Sequence, residues 1–120
     1  MEGRTRQDIL KDLVALAGPV HSLKDELRGY GWDSKVELVV LTAADALSVL
    51  DRFTRSDIAA EECEAWACAL AMRDDVGLEP AFEGELKQLL FEMDVPEING
   101  PLTLEWAARW KAHLESSALR

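Results

Sequence analysis

The chain has 120 residues, 48% of them hydrophobic and 30% charged, with a net charge of −10 at pH 7. That length makes one ordinary domain, which buries somewhat under ~70% of the surface its unfolded form exposes and needs no metal or disulfide to fold. No apolar run approaches the roughly 18 residues of a membrane span, and the acidity argues against direct binding to nucleic acid or anionic membranes while favouring basic proteins.

In chain order, Thr5 followed by Asp8 reads as a capping pair opening a helix over about 6–17. Ile9, Leu10, Leu13, Leu16 and Ala17 form its inward stripe, and Gly18-Pro19 ends it. Ser22 with Asp25 predicts the cap of a shorter helix whose Leu23 and Leu27 face inward, and Gly29 to Ser34 predicts a hinge-like turn. Val36 to Leu41 has β-branched residues and a period of two, but the rest of the chain has no convincing second strand. It therefore reads as an extended apolar segment laid across helices, with pairing across a dimer as the alternative. Thr42 with Asp45 caps a helix over about 43–54, buried through Ala43, Ala46, Leu47, Leu50 and Phe53.

The next helix, over about 58–73, is expected to sit at the centre of the core, because Ile58, Ala59, Cys63, Trp66, Ala67 and Leu70 share one stripe. It should form an antiparallel hairpin with the helix before it. A loop over 73–78 leads to Glu79-Pro80, a cap and first-position proline for a helix over about 80–92 with Phe82, Leu86, Leu89, Leu90 and Met93 on its apolar face. A loop containing Pro96, Asn99, Gly100 and Pro101 follows. Thr103 then caps a last helix over about 104–117, with Leu104, Ala107, Trp110 and Leu114 inward. The fold class is all-α: a single compact bundle of about five helices with one extended apolar segment, forming one domain over residues 1–120.

Catalytic and metal patterns are not found in the sequence. The seven glycines are scattered, no Cys/His ligand spacing occurs, and His21 and His113 lack a neighbouring nucleophile and orienting group. Neither an enzyme nor a cofactor is expected. Asp74, Asp75 and Glu79 lack the spacing of a calcium loop and read as solvated charges. Cys63 and Cys68 are turned about 140° apart on a helix and read as small buried or half-buried apolar residues of a reducing compartment. Because MEGRTRQD carries no apolar leader core, a cytoplasmic home is expected.

Charge is unevenly spread. Residues 1–50 hold eight acids and six bases, 51–97 thirteen and four, and 98–120 two and three, so the three segments carry −2, −9 and +1. Glu61, Glu62, Glu64, Asp74, Asp75 and Glu79 are the candidate partner-binding residues. Trp66 and Trp110 read as core, whereas Trp32, in a turn, and Trp106 read as possible exposed aromatic anchors.

Leu50, Phe53, the run Ser56 to Glu62, Trp66-Ala67, Arg73 to Asp75, Leu90 to Glu92 and Pro96 to Thr103 together resemble small bacterial helical proteins. Over about residues 36–115 the chain is also similar to the immunity proteins that neutralise colicin-type nuclease toxins, although no single motif is specific. The resemblance implies an all-helical fold and inhibition of a toxin through an acidic face. Ala59 departs from it where a capping Ser or Thr is usual, which leaves the start of the central helix open. Two functions are expected. One is an immunity-type inhibitor whose acids cover the basic active site of a nuclease toxin, so the partner is a basic protein such as a cognate toxin domain. The alternative is a structural or regulatory interaction protein, open to homodimer formation through Val36 to Leu41, whose acidity serves solubility.

Overall fold

Thr5 and Asp8 do form a reciprocal capping box, which starts α1 (Arg6–Ala15) with both otherwise unpaired N–H groups satisfied. The computed structural model describes residues 5–28, 38–71, 73 and 75–118. After α1 come α2 (Val20–Arg28), β1 (Val39–Leu41), α3 (Ala43–Thr54), α4 (Ala60–Ala71), β2 (Val76–Leu78), a 3-10 turn (Pro80–Phe82), α5 (Glu83–Asp94), the single turn α6 (Pro96–Asn99) and α7 (Leu104–Ala118). The fold is mostly helical, with extents of 43 × 29 × 27 Å. α4 packs most extensively on α5, and α3 on α7.

The core lies where these helices meet. Leu10, Leu13, Leu50, Trp66, Leu86, Leu89, Met93 and Leu114 are all inaccessible to solvent. Trp66 is the largest of them, and its indole N–H donates to the Leu13 carbonyl at 2.8 Å, so the centre of α4 is bonded to α1 as well as packed on it. The expectation that α4 occupies the middle of the core is met through Cys63, Trp66, Ala67 and Leu70. Ile58, half-buried, and Ala59, exposed, precede the helix. The Glu62 and Cys63 N–H groups donate to the Ala59 carbonyl, so Ala59 stands at the cap with no side chain to contribute.

Several local expectations are corrected. α1 ends at Leu16, not at Gly18: Leu16 adopts the left-handed conformation (φ 50°, ψ 48°), burying its side chain while Ala17 is exposed. The guanidinium of Arg52 on α3 covers the exposed end of α1, donating to the Leu16 carbonyl at 2.8 Å and the Ala15 carbonyl at 3.3 Å. α2 starts at Val20 rather than after Ser22, because the Leu23 N–H donates to the Pro19 carbonyl. Leu23 and Leu27 face inward as expected.

The apolar segment is not a lone extended stretch. β1 pairs in parallel with β2, with Val39 opposite Val76 and Leu41 opposite Leu78. A parallel pair needs a crossover, and α3 and α4 supply it. The second strand escaped pattern reading because it is three residues long with a central Gly77. Residues 36 and 37, and the turn expected from Gly29 to Ser34, lie outside the described residues.

α7 also settles differently. Ala107 and Leu114 are buried and Trp110 half-buried, but Leu104 is 55% exposed and Trp106 only 7% exposed, so Trp106 takes the inward place expected of Leu104. The cap is as expected, with the Trp106 N–H donating to the Thr103 hydroxyl oxygen at 3.0 Å. Lys111 of α7 reaches Asp51 of α3 at 3.0 Å. That hydrogen bond, followed by Arg55 and the Lys111 charge, outweighs desolvation and holds the Asp51 carboxyl below its ordinary range.

Truncating Trp66 removes a fully enclosed indole and a buried hydrogen bond. Trp66→Ala should cost about 3–5 kcal/mol, and Trp66→Phe about 0.5–1.5 kcal/mol for the lost hydrogen bond, since the Leu13 carbonyl keeps the Leu16 N–H at 3.0 Å. Urea denaturation followed by circular dichroism checks both. A loss below about 1 kcal/mol for the alanine variant contradicts the core position of the indole.

Candidate functional site

The acidic segment does not lie open to solvent as one face. Asp75 was expected to be a solvated charge but is only 2% exposed, and it is the one buried charged residue among those described. One oxygen accepts from Arg6 Nε at 2.9 Å and from Arg73 Nη2 at 3.0 Å, and the other from Arg73 Nε at 2.8 Å. Desolvation raises the carboxyl's pKa, but the hydrogen bonds and charges of Arg73 and Arg6 outweigh it and hold the group below the usual carboxylate range. The backbone carbonyl of Asp75 also accepts from Leu38 and Val39, next to the strand pair.

Two further acids serve as helix caps. Glu79 does not cap the turn that follows it; its Oε1 accepts from the Ala43 N–H at 2.9 Å, at the start of α3. Glu62 accepts from the Val20 N–H at 3.3 Å, at the start of α2. Both carboxylates sit at the positive ends of helices distant in sequence. Asp74 and Trp32 lie outside the described residues. Asp75 and Glu79 are thus committed to protein donors, and among the described residues no group of three or more His, Cys, Asp or Glu could hold a metal ion.

Glu61 and Glu64 remain. With Cys68 they form a row at i, i+3 and i+7 on α4, Glu61 and Cys68 exposed and Glu64 half-buried. Asp94, from the end of α5, meets this row. Partial desolvation, the Asp94 charge and a hydrogen bond with Asp94 push the Cys68 thiol up, with a smaller push from Glu64 and opposition from Lys24. Carboxylates of two helices therefore converge around one thiol. Cys68 is exposed, contrary to the expectation of a buried or half-buried residue, whereas Cys63 is fully enclosed and burial pushes its thiol up to about 12. Near the end of α5, Phe91 is 45% exposed and Ile98, on α6, 73% exposed.

Trp106 belongs to another arrangement. Its indole N–H and that of Trp110 donate to the same oxygen of Glu92, at 2.8 and 2.9 Å, while Gln88 donates to the other oxygen at 2.8 Å. Partial burial raises this carboxyl, but hydrogen bonds from Trp110, Gln88 and Trp106, with the Arg109 charge, bring it below its ordinary value. Both indole donors are used in fastening α7 to α5. An open cleft of about 440 Å³ adjoins them, lined also by Arg109 and His113, whose ring meets Trp110 edge-on at 5.5 Å.

Two clefts adjoin the turn between α3 and α4. One, about 520 Å³, is lined among others by Pro19, Arg52, Glu61 and Glu62; the other, about 540 Å³, by Phe53, Leu102 and Leu104. Asp57, Ile58 and Ala59 line both. No sequence signal marks Asp57, Leu104, Glu92 or Arg109 as site residues, because contacts between separate elements bring them together. Glu92, for example, lies 14 and 18 residues from its two indole partners.

Protonating Asp75 would leave two guanidiniums facing a neutral group in the interior. Asp75→Asn should cost about 3–5 kcal/mol. The folded-state pKa is lowered, so this contribution is fully present above the unfolded-state value of about 3.9 and is lost as pH falls through the folded-state value. Denaturation midpoints from pH 7 down to pH 2 should show the acid limb flattening in the variant. An unchanged limb contradicts the role given to this carboxylate.

No protein-family model matches the chain, and no curated protein or solved structure is significantly similar to it.

Proposed function

We propose that this protein is an acidic protein-binding module of the immunity type, an inhibitor that covers the basic active site of a bacterial nuclease toxin. The observation that carries this reading is the approach of Glu64 of α4 and Asp94 of α5 to Cys68, with the exposed Glu61 one turn further along the same face of α4. Carboxylates from two helices in one place add to a single local potential, which attracts a basic surface and raises its rate of encounter. Apolar side chains stand near it: Phe91 lies one turn before Asp94, and Ile98 follows on α6. Exposed apolar groups beside a charged rim are what the centre of a protein interface requires.

Lys24 of α2 is the base that acts at this place, and several other bases are engaged elsewhere. Arg6 and Arg73 are bound to Asp75, Lys111 to Asp51, and Lys87 lies 3.9 Å from Glu83. The chain keeps a net charge of −10, part of it on exposed carboxylates such as Glu61.

The triple variant Glu61→Gln, Glu64→Gln, Asp94→Asn tests the reading against the nuclease domain that the proposal requires to be encoded near this gene. Glu61 is exposed and Glu64 and Asp94 are half-buried, and charges at such a surface contribute little to stability, so the melting temperature should barely move. Stopped-flow association should slow by about tenfold at low ionic strength, with the difference shrinking as salt is added. If the nuclease domain binds parent and variant equally fast at every salt concentration, or is not inhibited by the parent, the proposal fails.

A further inference from the structure

We propose that the cleft between α5 and α7 binds a small planar aromatic carboxylate. This goes beyond the proposed function and shares no residue with the acidic row of α4 or with Asp94. The cleft is built on one face of α7, where Trp106, Arg109, Trp110 and His113 stand at i, i+3, i+4 and i+7, and Glu92 of α5 meets them from across. Its volume of about 440 Å³ lies within the range of small-molecule sites and leaves room for a two-ring acid.

The groups that the fold leaves unused in the cleft select its ligand. Both indole N–H donors are engaged by one oxygen of Glu92, and Gln88 donates to the other. Glu92 keeps its charge, but these three donors and the neighbouring Arg109 already stabilise it. Arg109 itself is exposed and makes no ion pair or hydrogen bond among the described residues. Its planar fork of N–H donors is therefore free for a carboxylate, which such a fork holds through two parallel bonds. His113 is exposed, with its ring held edge-on against Trp110 at 5.5 Å, and adds a ring nitrogen on the same side of α7. A cationic ligand would meet this guanidinium while the oxygens of Glu92 are occupied. The aromatic part follows from the indoles. Trp106 is only 7% exposed, whereas Trp110 is half-buried and is fixed by its bond to Glu92, so part of its ring surface is open and already ordered. A flat ring gains buried area and offset stacking there without ordering a further protein side chain. A small inorganic anion would leave that surface uncovered.

The probe is naphthoate, titrated into the full-length protein and followed through the tryptophan indole N–H resonances. Trp66, enclosed in the core, is the internal reference. Naphthylmethanol, which has the ring without the charge, naphthylmethylammonium, which reverses the charge, and acetate, which has the charge without the ring, are the controls. Naphthoate should shift the Trp106 and Trp110 signals saturably while the Trp66 signal stays in place. Binding should be about tenfold weaker for naphthylmethanol and for Arg109→Gln, each of which removes the charge-assisted pair. Acetate and naphthylmethylammonium should give no saturable shift. Because Arg109 is exposed, the Arg109→Gln variant should keep the parent's circular dichroism spectrum and melting temperature. Shifts that do not saturate, equal binding of naphthylmethanol or naphthylmethylammonium, or affinity indifferent to Arg109→Gln overturns the proposal.

Discussion

The carboxylate of Asp75, enclosed between Arg6 and Arg73, is the constraint on which the arrangement of the chain's two halves depends. A lone charge taken out of water carries a penalty of several kcal/mol, repaid only where the geometry is good and its oxygens are bonded. Here both oxygens are engaged, and the donors come from the first turn of α1 and from the approach to β2. The same residue's carbonyl accepts from Leu38 and Val39. One residue thus joins α1, β1 and β2, and the parallel register places the α3–α4 crossover against the core.

Other acids follow the same logic at smaller scale. Glu62 on α2, Glu79 on α3 and Glu92 on the two indoles of α7 each satisfy donors from another part of the chain. Helix starts leave N–H groups unpaired, and a carboxylate there both accepts the bond and complements the dipole. Part of the acidity concentrated between residues 51 and 97 is therefore structural, while Glu61, Glu64 and Asp94 stand outside this set.

α7 shows how competing demands were resolved. Leu104 and Trp106 both follow the Thr103 cap, and one of them must turn outward. The indole buries more area and brings a donor that Glu92 accepts, so Trp106 goes inside and Leu104 is left at the surface. That outcome leaves an exposed apolar edge on the cleft lined by Phe53, Leu102 and Leu104.

Much of this protein was legible in its sequence, for a local reason. Capping boxes at Thr5 and Thr42, the Thr103 cap and the stripes of α3, α4 and α5 depend on residues three to eight apart, so helix positions and most of the core could be read directly. The acidic excess and the row Glu61, Glu64, Cys68 are likewise sequence properties. Tertiary structure alone decided that Val76 to Leu78 becomes a strand, that Leu16 rather than Gly18 turns left-handed, and that Asp75 and Trp106 are buried while Leu104 and Cys68 are exposed. Each of these turns on a partner distant along the chain: β1 for the strand, the core for Leu16, Arg6 for Asp75 and Glu92 for Trp106. Local periodicity records which groups are apolar or charged, but only the packed chain determines which donors and surfaces come within reach of them.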